Sequence, residues 1–246
     1  MAFTTSPVMG TTVSIDVRDA HVGADVLSAA VELLLDIDAR FSTYRPDSEI
    51  SRIDRGELAL DDATDDVRAV LGACTRLKAE SGGAFDAYGD GHLDPSGYVK
   101  GWAGDLAADL LRVAGAHNFM LNIGGDIVCS GERAAGRPWR IGVRHPDDPM
   151  QVMLVLALRD CAVATSGLYE RGEHVTDARN SQAARAWRSI TVVAADLATA
   201  DSMATAALAR GADGATWVAA RLGCEVAALD NDGNLFTSQG IAALRA

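Results

Sequence analysis

Phe119-Met120-Leu121-Asn122-Ile123-Gly124-Gly125-Asp126-Ile127-Val128-Cys129-Ser130 is the stretch on which the fold class turns. An apolar run, two glycines and a second apolar run predict strand, tight turn, strand, with no room for a helix between them. Further strands are expected at Trp139–Arg144, Val152–Leu158, 162–166 and, after a polar loop, 189–194. Upstream, Thr11–Val17 alternates, with Val13, Ile15 and Val17 on one side. Leu27, Val31, Leu34 and Ile37 recur at helical spacing within Ala24–Phe41. Asp65–Glu80 repeats that spacing with Val67, Val70, Leu71, Cys74 and Leu77. A third helix is predicted over 101–115, with Trp102, Leu106, Leu110 and Leu111 inward. Helices over 199–209 and 213–222 and a hairpin with strands at 225–229 and 235–238 close the chain. Strands and helices mix without a βαβ rhythm. The expected class is therefore α+β, with mixed or antiparallel sheets packed against helices.

The 246 residues, 48% hydrophobic and 23% charged, suit a soluble globular chain, expected as a single domain over 1–246. Against 34 acidic residues stand 22 basic ones, a net charge of −12, which repels nucleic-acid phosphate. A phosphorylated ligand then needs a metal ion, placed cations or a helix N-terminus. Cys74, Cys129, Cys161 and Cys224 form no C-x-x-C pair and read as buried thiols in a reducing compartment. The N-terminal residues lack a basic start followed by an apolar core, and no apolar run is long enough to span a bilayer. The expectation is a cytoplasmic protein without a membrane anchor.

Several residue groups carry potential chemistry, each beside a plainer reading. Asp201 and Thr205 lie one helical turn apart and offer two oxygens to a hard cation; alternatively they are a solvated face. Lys100 follows Asp94-Pro95-Ser96-Gly97-Tyr98-Val99, a turn ahead of the predicted helix where free N–H groups and an ammonium suit a phosphate. The spacing is not a Walker loop. Gly124-Gly125 allows either a tight turn or close approach of a ligand, with Asp126 as a turn cap. His174 and Asp177 suit a proton acceptor and its orienting carboxylate, or a solvated loop; no nucleophile elbow accompanies Ser166. Asp230-Asn231-Asp232-Gly233-Asn234 reads as a hairpin turn, since its glycine falls too early for a calcium loop.

These signals occur in one order. Met9-Gly10-Thr11 opens it, followed by Phe41-Ser42-Thr43-Tyr44, Asp47-Ser48-Glu49-Ile50-Ser51-Arg52-Ile53 and Gly83-Ala84-Phe85-Asp86. The Lys100-Gly101 turn, Asn122-Ile123-Gly124-Gly125-Asp126 and Trp139-Arg140-Ile141-Gly142-Val143 come next. Ala164-Thr165-Ser166-Gly167, His174-x-x-Asp177 and Ala200-Asp201 with Thr205 complete the series. From Met9 to about Gly211 the chain resembles the ApbE family of FAD:protein FMN transferases. The resemblance implies an α+β fold and a Mg²⁺ site at Asp201, Thr205 and the backbone carbonyl of Gly97; the same oxygens also serve Mn²⁺. It implies flavin contacts at Met9, Tyr44, Ala84, Phe85, Asp86, Asp94, Lys100 and Thr176, with His174 as proton acceptor and Asp177 orienting it.

The implied reaction moves the FMN half of FAD, the substrate, onto a Thr or Ser hydroxyl of an acceptor flavoprotein and releases AMP. Lys100 and the metal neutralise the pyrophosphate. Two other readings stay open: an FAD pyrophosphatase with water as nucleophile, and a flavin-binding protein without catalysis. The chain departs from the family pattern in three places. Only eight residues separate Asp86 from Pro95, His-x-x-Asp runs into Ala178-Arg179-Asn180-Ser181, and Asp54 stands where asparagine is common.

Overall fold

A computed structural model describes residues 1–89, 91–167 and 175–246. The chain opens with β1 (Ala2–Val8) and β2 (Thr11–Val17), then α1 (Ala24–Phe41), α2 (Glu49–Asp54), α3 (Asp65–Glu80) and α4 (Ser96–Val113). Next come β3 (Phe119–Ile123), β4 (Asp126–Ser130), β5 (Trp139–Arg144), β6 (Val152–Leu158) and β7 (Cys161–Gly167). Two short strands, β8 (Thr176–Asp177) and β9 (Gln182–Ala183), precede β10 (Trp187–Ala194) and α5 (Leu197–Arg210). The last elements are α6 (Gly214–Ala219), β11 (Glu225–Asp230), β12 (Leu235–Thr237) and α7 (Ile241–Leu244).

The frame is an eight-stranded sheet in the order β1-β2-β3-β4-β7-β10-β11-β12, with every neighbouring pair antiparallel. The α+β expectation therefore holds. Side chains alternate across a strand, and here the two faces build two cores. Val13, Ile15, Phe119, Leu121, Ile123, Val128, Ala164, Val192 and Val226 face the helices. Ile127, Cys129, Val163, Val193 and Ala227 face the opposite way, onto the β5–β6 hairpin and its Trp139, Ile141, Leu156 and Leu158. Central strands β4, β7 and β10 are buried on both faces, which is why they read as continuous apolar runs rather than alternating ones.

Gly124 and Gly125 form the two-residue turn between β3 and β4. Both have positive φ, 61° and 103°, and Asn122 Oδ1 accepts the Gly125 N–H at 2.8 Å. A Cβ on Gly124 would sit 2.6 Å from Thr11 Oγ1, so the turn admits no side chain there. The Asp230 loop is likewise a turn: Asp230 Oδ1 accepts the N–H groups of Asp232 and Asn234 at 2.9 and 2.8 Å.

Three differences from the sequence reading have physical causes. β1 is an edge strand with Thr4, Thr5, Ser6 and Pro7, so it lacks the apolar alternation that marks a half-buried strand. α2 is a short helix capped by Ser48, whose Oγ accepts the Ser51 N–H at 3.0 Å. α4 begins at Ser96, five residues before the expected start, and buries Val99, Ala103, Ala107 and Leu111; Trp102, Leu106 and Leu110 are only partly buried. Two glycines in its first turns lower helix propensity, and packing against α5 overrides that deficit. Among the described residues no helix is long and apolar enough to cross a membrane. Cys74, Cys129 and Cys224 are buried and Cys161 is partly so; burial pushes the Cys74 thiol up to about 12.

Candidate active site

The site is built where α4 crosses α5, and glycines set the distance between them. A Cβ on Gly101 would lie 2.5 Å from the Leu197 carbonyl oxygen, and one on Gly104 would lie 2.6 Å from Leu197 Cδ2. Only hydrogen at these positions lets the backbones approach this closely. The N-terminus of α5 is tied to α4 by Asp105, which accepts the N–H groups of Leu197 and Ala198, each at 2.8 Å. Asp196 caps α5 by accepting the Thr199 N–H at 2.7 Å.

This crossing brings Lys100 of α4, Asp126 at the start of β4 and Asp201 of α5 together. Lys100 Nζ pairs with Asp126 Oδ2 and lies 3.4 Å from Asp201 Oδ1. Asp201 Oδ2 accepts the Gly101 N–H at 3.0 Å, and Asp126 Oδ1 accepts the Thr165 N–H at 3.0 Å. Asp126 and Asp201 are 2% and 3% exposed, so the reading of Asp201 as part of a solvated face is excluded. Burial raises the Asp201 carboxyl well above the carboxylate range; Lys100 opposes the shift and Asp126 reinforces it. Lys100 stands inside α4 rather than in a turn ahead of it, which corrects the sequence expectation. The local N–H groups are also engaged: Ser96 donates to Asp94 Oδ1 at 2.9 Å, and Tyr98 and Val99 donate to the Pro95 carbonyl at 2.9 and 3.1 Å. The Lys100 ammonium, inside α4, rather than a cradle at these N–H groups, is the group here whose charge suits a phosphate.

Two of the expected metal donors, Thr205 and Gly97, are neighbours. Thr205 Oγ1 lies 3.0 Å from Ser166 Oγ, and a Cβ on Gly97 would meet Thr205 Cγ2 at 3.3 Å and the Phe85 ring at 2.9 Å. Among the described residues no group of three or more His, Cys, Asp or Glu is placed to hold a metal ion. The candidate donors are instead one buried carboxylate, Asp201, and the hydroxyls of Thr205 and Ser166, with Gly97 packed against Thr205. Hard oxygens with few carboxylates fit a Mg²⁺ site that substrate phosphates complete. A divalent cation also supplies the opposite charge that the buried Asp201 carboxylate lacks beyond its share of Lys100.

The flavin-contact candidates divide into two groups. Ala84, Phe85, Asp86, Asp94 and Thr176 lie around the crossing. The Ala84 carbonyl accepts the Ala178 N–H at 3.1 Å, beside Thr176 on β8, and the Ala87 carbonyl accepts the Asp94 N–H at 2.7 Å. Asp86 Oδ2 pairs with Lys78 Nζ at 2.5 Å. Met9 and Tyr44 lie among the N-terminal elements. Met9, in the β1–β2 turn at φ 53°, donates its N–H to Asp38 Oδ2 at 3.0 Å, and Tyr44 is 94% exposed. A cleft of about 220 Å³ is lined by Thr43, next to Tyr44 in the chain, and by Ser51, Asp54, His92, Leu93 and Asp94. Asp177 is 8% exposed; its oxygens accept from Arg179 Nε and Nη2, both at 2.8 Å, and from Asn180 Nδ2 at 3.2 Å. That pairing holds its carboxyl below the usual range. His174 lies outside the described residues. Two residues escaped the sequence reading as members of the site: Asp126, read as a turn cap, and Ser166, weighed only as a nucleophile. Both stood inside quoted motifs, but their partners come from α4 and α5.

The model of the ApbE family matches residues 9–89 and 89–229, nearly the whole chain. The chain belongs to the ApbE family. A FAD:protein FMN transferase of Vibrio cholerae serotype O1 is 27% identical to this ApbE-family chain over 267 residues, covering 83% of this chain and 80% of its own length. One from Haemophilus influenzae is 25% identical over 278 residues, covering 87% and 80%. The solved flavin transferase ApbE from Vibrio cholerae superimposes with a TM-score of 0.88 at 24% identity, over 99% of this chain and 98% of its own. That likeness establishes the ApbE fold.

Proposed function

We propose that this chain transfers the FMN half of FAD onto a Thr or Ser hydroxyl of an acceptor flavoprotein, with Mg²⁺ or Mn²⁺ as the metal. The observation that carries the reading is Lys100 poised between the buried carboxylates of Asp126 and Asp201, beside Thr205, Ser166 and Gly97. The acceptor oxygen attacks the phosphorus on the FMN side of the pyrophosphate, the bond to the AMP phosphate breaks, and AMP leaves. The product is a phosphodiester between FMN and protein. A bound divalent cation would be held by Asp201, Thr205 and the Gly97 carbonyl and would stabilise charge on the phosphoryl oxygens. Lys100 holds the pyrophosphate by its charge in an otherwise acidic chain. In this reading His174 takes the hydroxyl proton and Asp177, whose carboxylate accepts from Arg179, orients it. Phe85, Asp94 and the exposed Tyr44 are among the contacts this reading assigns to the flavin.

The short connection between Asp86 and Pro95 favours one alternative, hydrolysis of FAD to FMN and AMP, because it leaves less chain to shield the site from water. The deciding experiment mixes the purified protein with FAD and Mg²⁺, with and without an acceptor, then quantifies AMP and FMN and weighs the acceptor. AMP with an acceptor heavier by one FMN phosphoryl group supports transfer. AMP with free FMN and no mass gain supports the hydrolase, and bound FAD without AMP refutes both.

A further inference from the structure

We propose that Asp126 is a positioning residue: it retains the Lys100 ammonium when a divalent cation takes Asp201, so that Lys100 stays at the site of the phosphate instead of competing with the metal. The proposal rests on the reading of Asp201 and Thr205 as metal ligands.

Three observations lead to it. First, Asp126 is set rigidly. It follows the Gly124-Gly125 turn, held by Asn122 Oδ1 on the Gly125 N–H and by the Thr12 carbonyl on the Gly124 N–H at 3.0 Å, and Asp126 Oδ1 is taken by the Thr165 N–H at 3.0 Å. Its second oxygen is thereby aimed at Lys100. Second, the ammonium is shared unequally. It is in contact with Asp126 Oδ2 but 3.4 Å from Asp201 Oδ1, so it already leans toward the carboxylate that is not a candidate ligand. Third, the charge balance requires the second carboxylate. A divalent cation at Asp201 beside the Lys100 ammonium places two like charges in a pocket where both carboxylates are at most 3% exposed, and repulsion there is poorly screened. Asp126 offsets one of those positive charges before any substrate arrives. Without Asp126, the ammonium is drawn to Asp201, where it competes with the metal.

The test is a double-mutant cycle on metal affinity, read by calorimetric titration with Mg²⁺ alone and by Mn²⁺ electron paramagnetic resonance, without FAD or turnover. Asp126→Asn keeps an acceptor for the Thr165 N–H and removes the charge. It is expected to weaken metal binding by about tenfold or more. Lys100→Met is expected to tighten binding slightly in the wild-type background and by a much larger factor in the Asp126→Asn background. A simple through-space field would give equal factors in both backgrounds, and that result would overturn the proposal. So would an Asp126→Asn protein with unchanged metal affinity, whether or not its melting temperature has fallen. If Asp126→Asn proves unstable, Lys100→Met alone still decides: weaker metal binding in that variant contradicts competition. A wild-type protein that binds FAD but no divalent cation refutes the metal reading itself, an outcome distinct from failure of the cycle.

Discussion

Lys100 Nζ and Asp201 Oδ1 lie 3.4 Å apart although their positions are far apart in the chain, and the contact exists because Gly101 lets α4 rest on the Leu197 carbonyl of α5. The lysine of one helix and the carboxylate of the other thus depend on a backbone distance that a single methyl group would alter.

Gly101→Ala tests that dependence. Its Cβ would lie 2.5 Å from the Leu197 carbonyl oxygen, a backbone atom that cannot swing away. The expected cost is about 1–3 kcal/mol of stability, the usual range for overpacking, together with weaker FAD binding. Denaturant unfolding and an FAD titration measure the two. An unchanged unfolding midpoint would show that the helices separate without cost.

Asp201→Asn separates function from folding. The amide keeps an acceptor for the Gly101 N–H and removes a buried charge whose carboxyl is already pushed upward by burial. FAD turnover is expected to fall by at least about a hundredfold, while the melting temperature stays within a few degrees. Retention of turnover would remove Asp201 from the metal site.

Asp105 gives stability a pH dependence of known sign. Burial raises its carboxyl from 3.8 to about 6, against the hydrogen bonds from Leu197 and Ala198. The folded chain therefore holds this proton more tightly than the unfolded chain does. The contribution to stability is complete below the unfolded value of 3.8 and is lost as pH rises through about 6. Asp105→Asn lacks it. The melting temperature of the wild type minus that of the variant should be larger near about pH 4 than near about pH 7; a difference that grows with pH would contradict the assignment.

Asp54 is expected to act on substrate binding rather than on the chemical step. It accepts the Leu93 N–H at 2.7 Å and contacts His92 Nδ1 at 3.1 Å, and so holds the short connection that ends at Asp94. Asp54→Ala should raise KM for FAD several-fold with kcat little changed, and Asp54→Asn, which still accepts from Leu93, should recover most of the loss. Steady-state kinetics of AMP release measure both.

Much was legible in the sequence because it is local. Leu27, Leu34 and Ile37 mark α1 by spacing, Val13, Ile15 and Val17 mark β2 by alternation, and Gly124-Gly125 marks a turn that only residues free to adopt positive φ make easily. The ordered motifs likewise placed Lys100, Asp201 and Thr205 at one site through family resemblance. What the sequence by itself determined was therefore the identity of most elements and the set of groups proposed to carry the chemistry. Only the tertiary structure decided that Asp126 belongs to the site, that Ser166 bonds to Thr205 and that α4 begins at Ser96. Pairing across the sheet and contact between α4 and α5 join residues far apart in the chain, and no local propensity encodes such a distance. Whether a carboxylate is a solvated cap or a buried charge depends on what packs over it, and for Asp126, on β4, that is the lysine of α4.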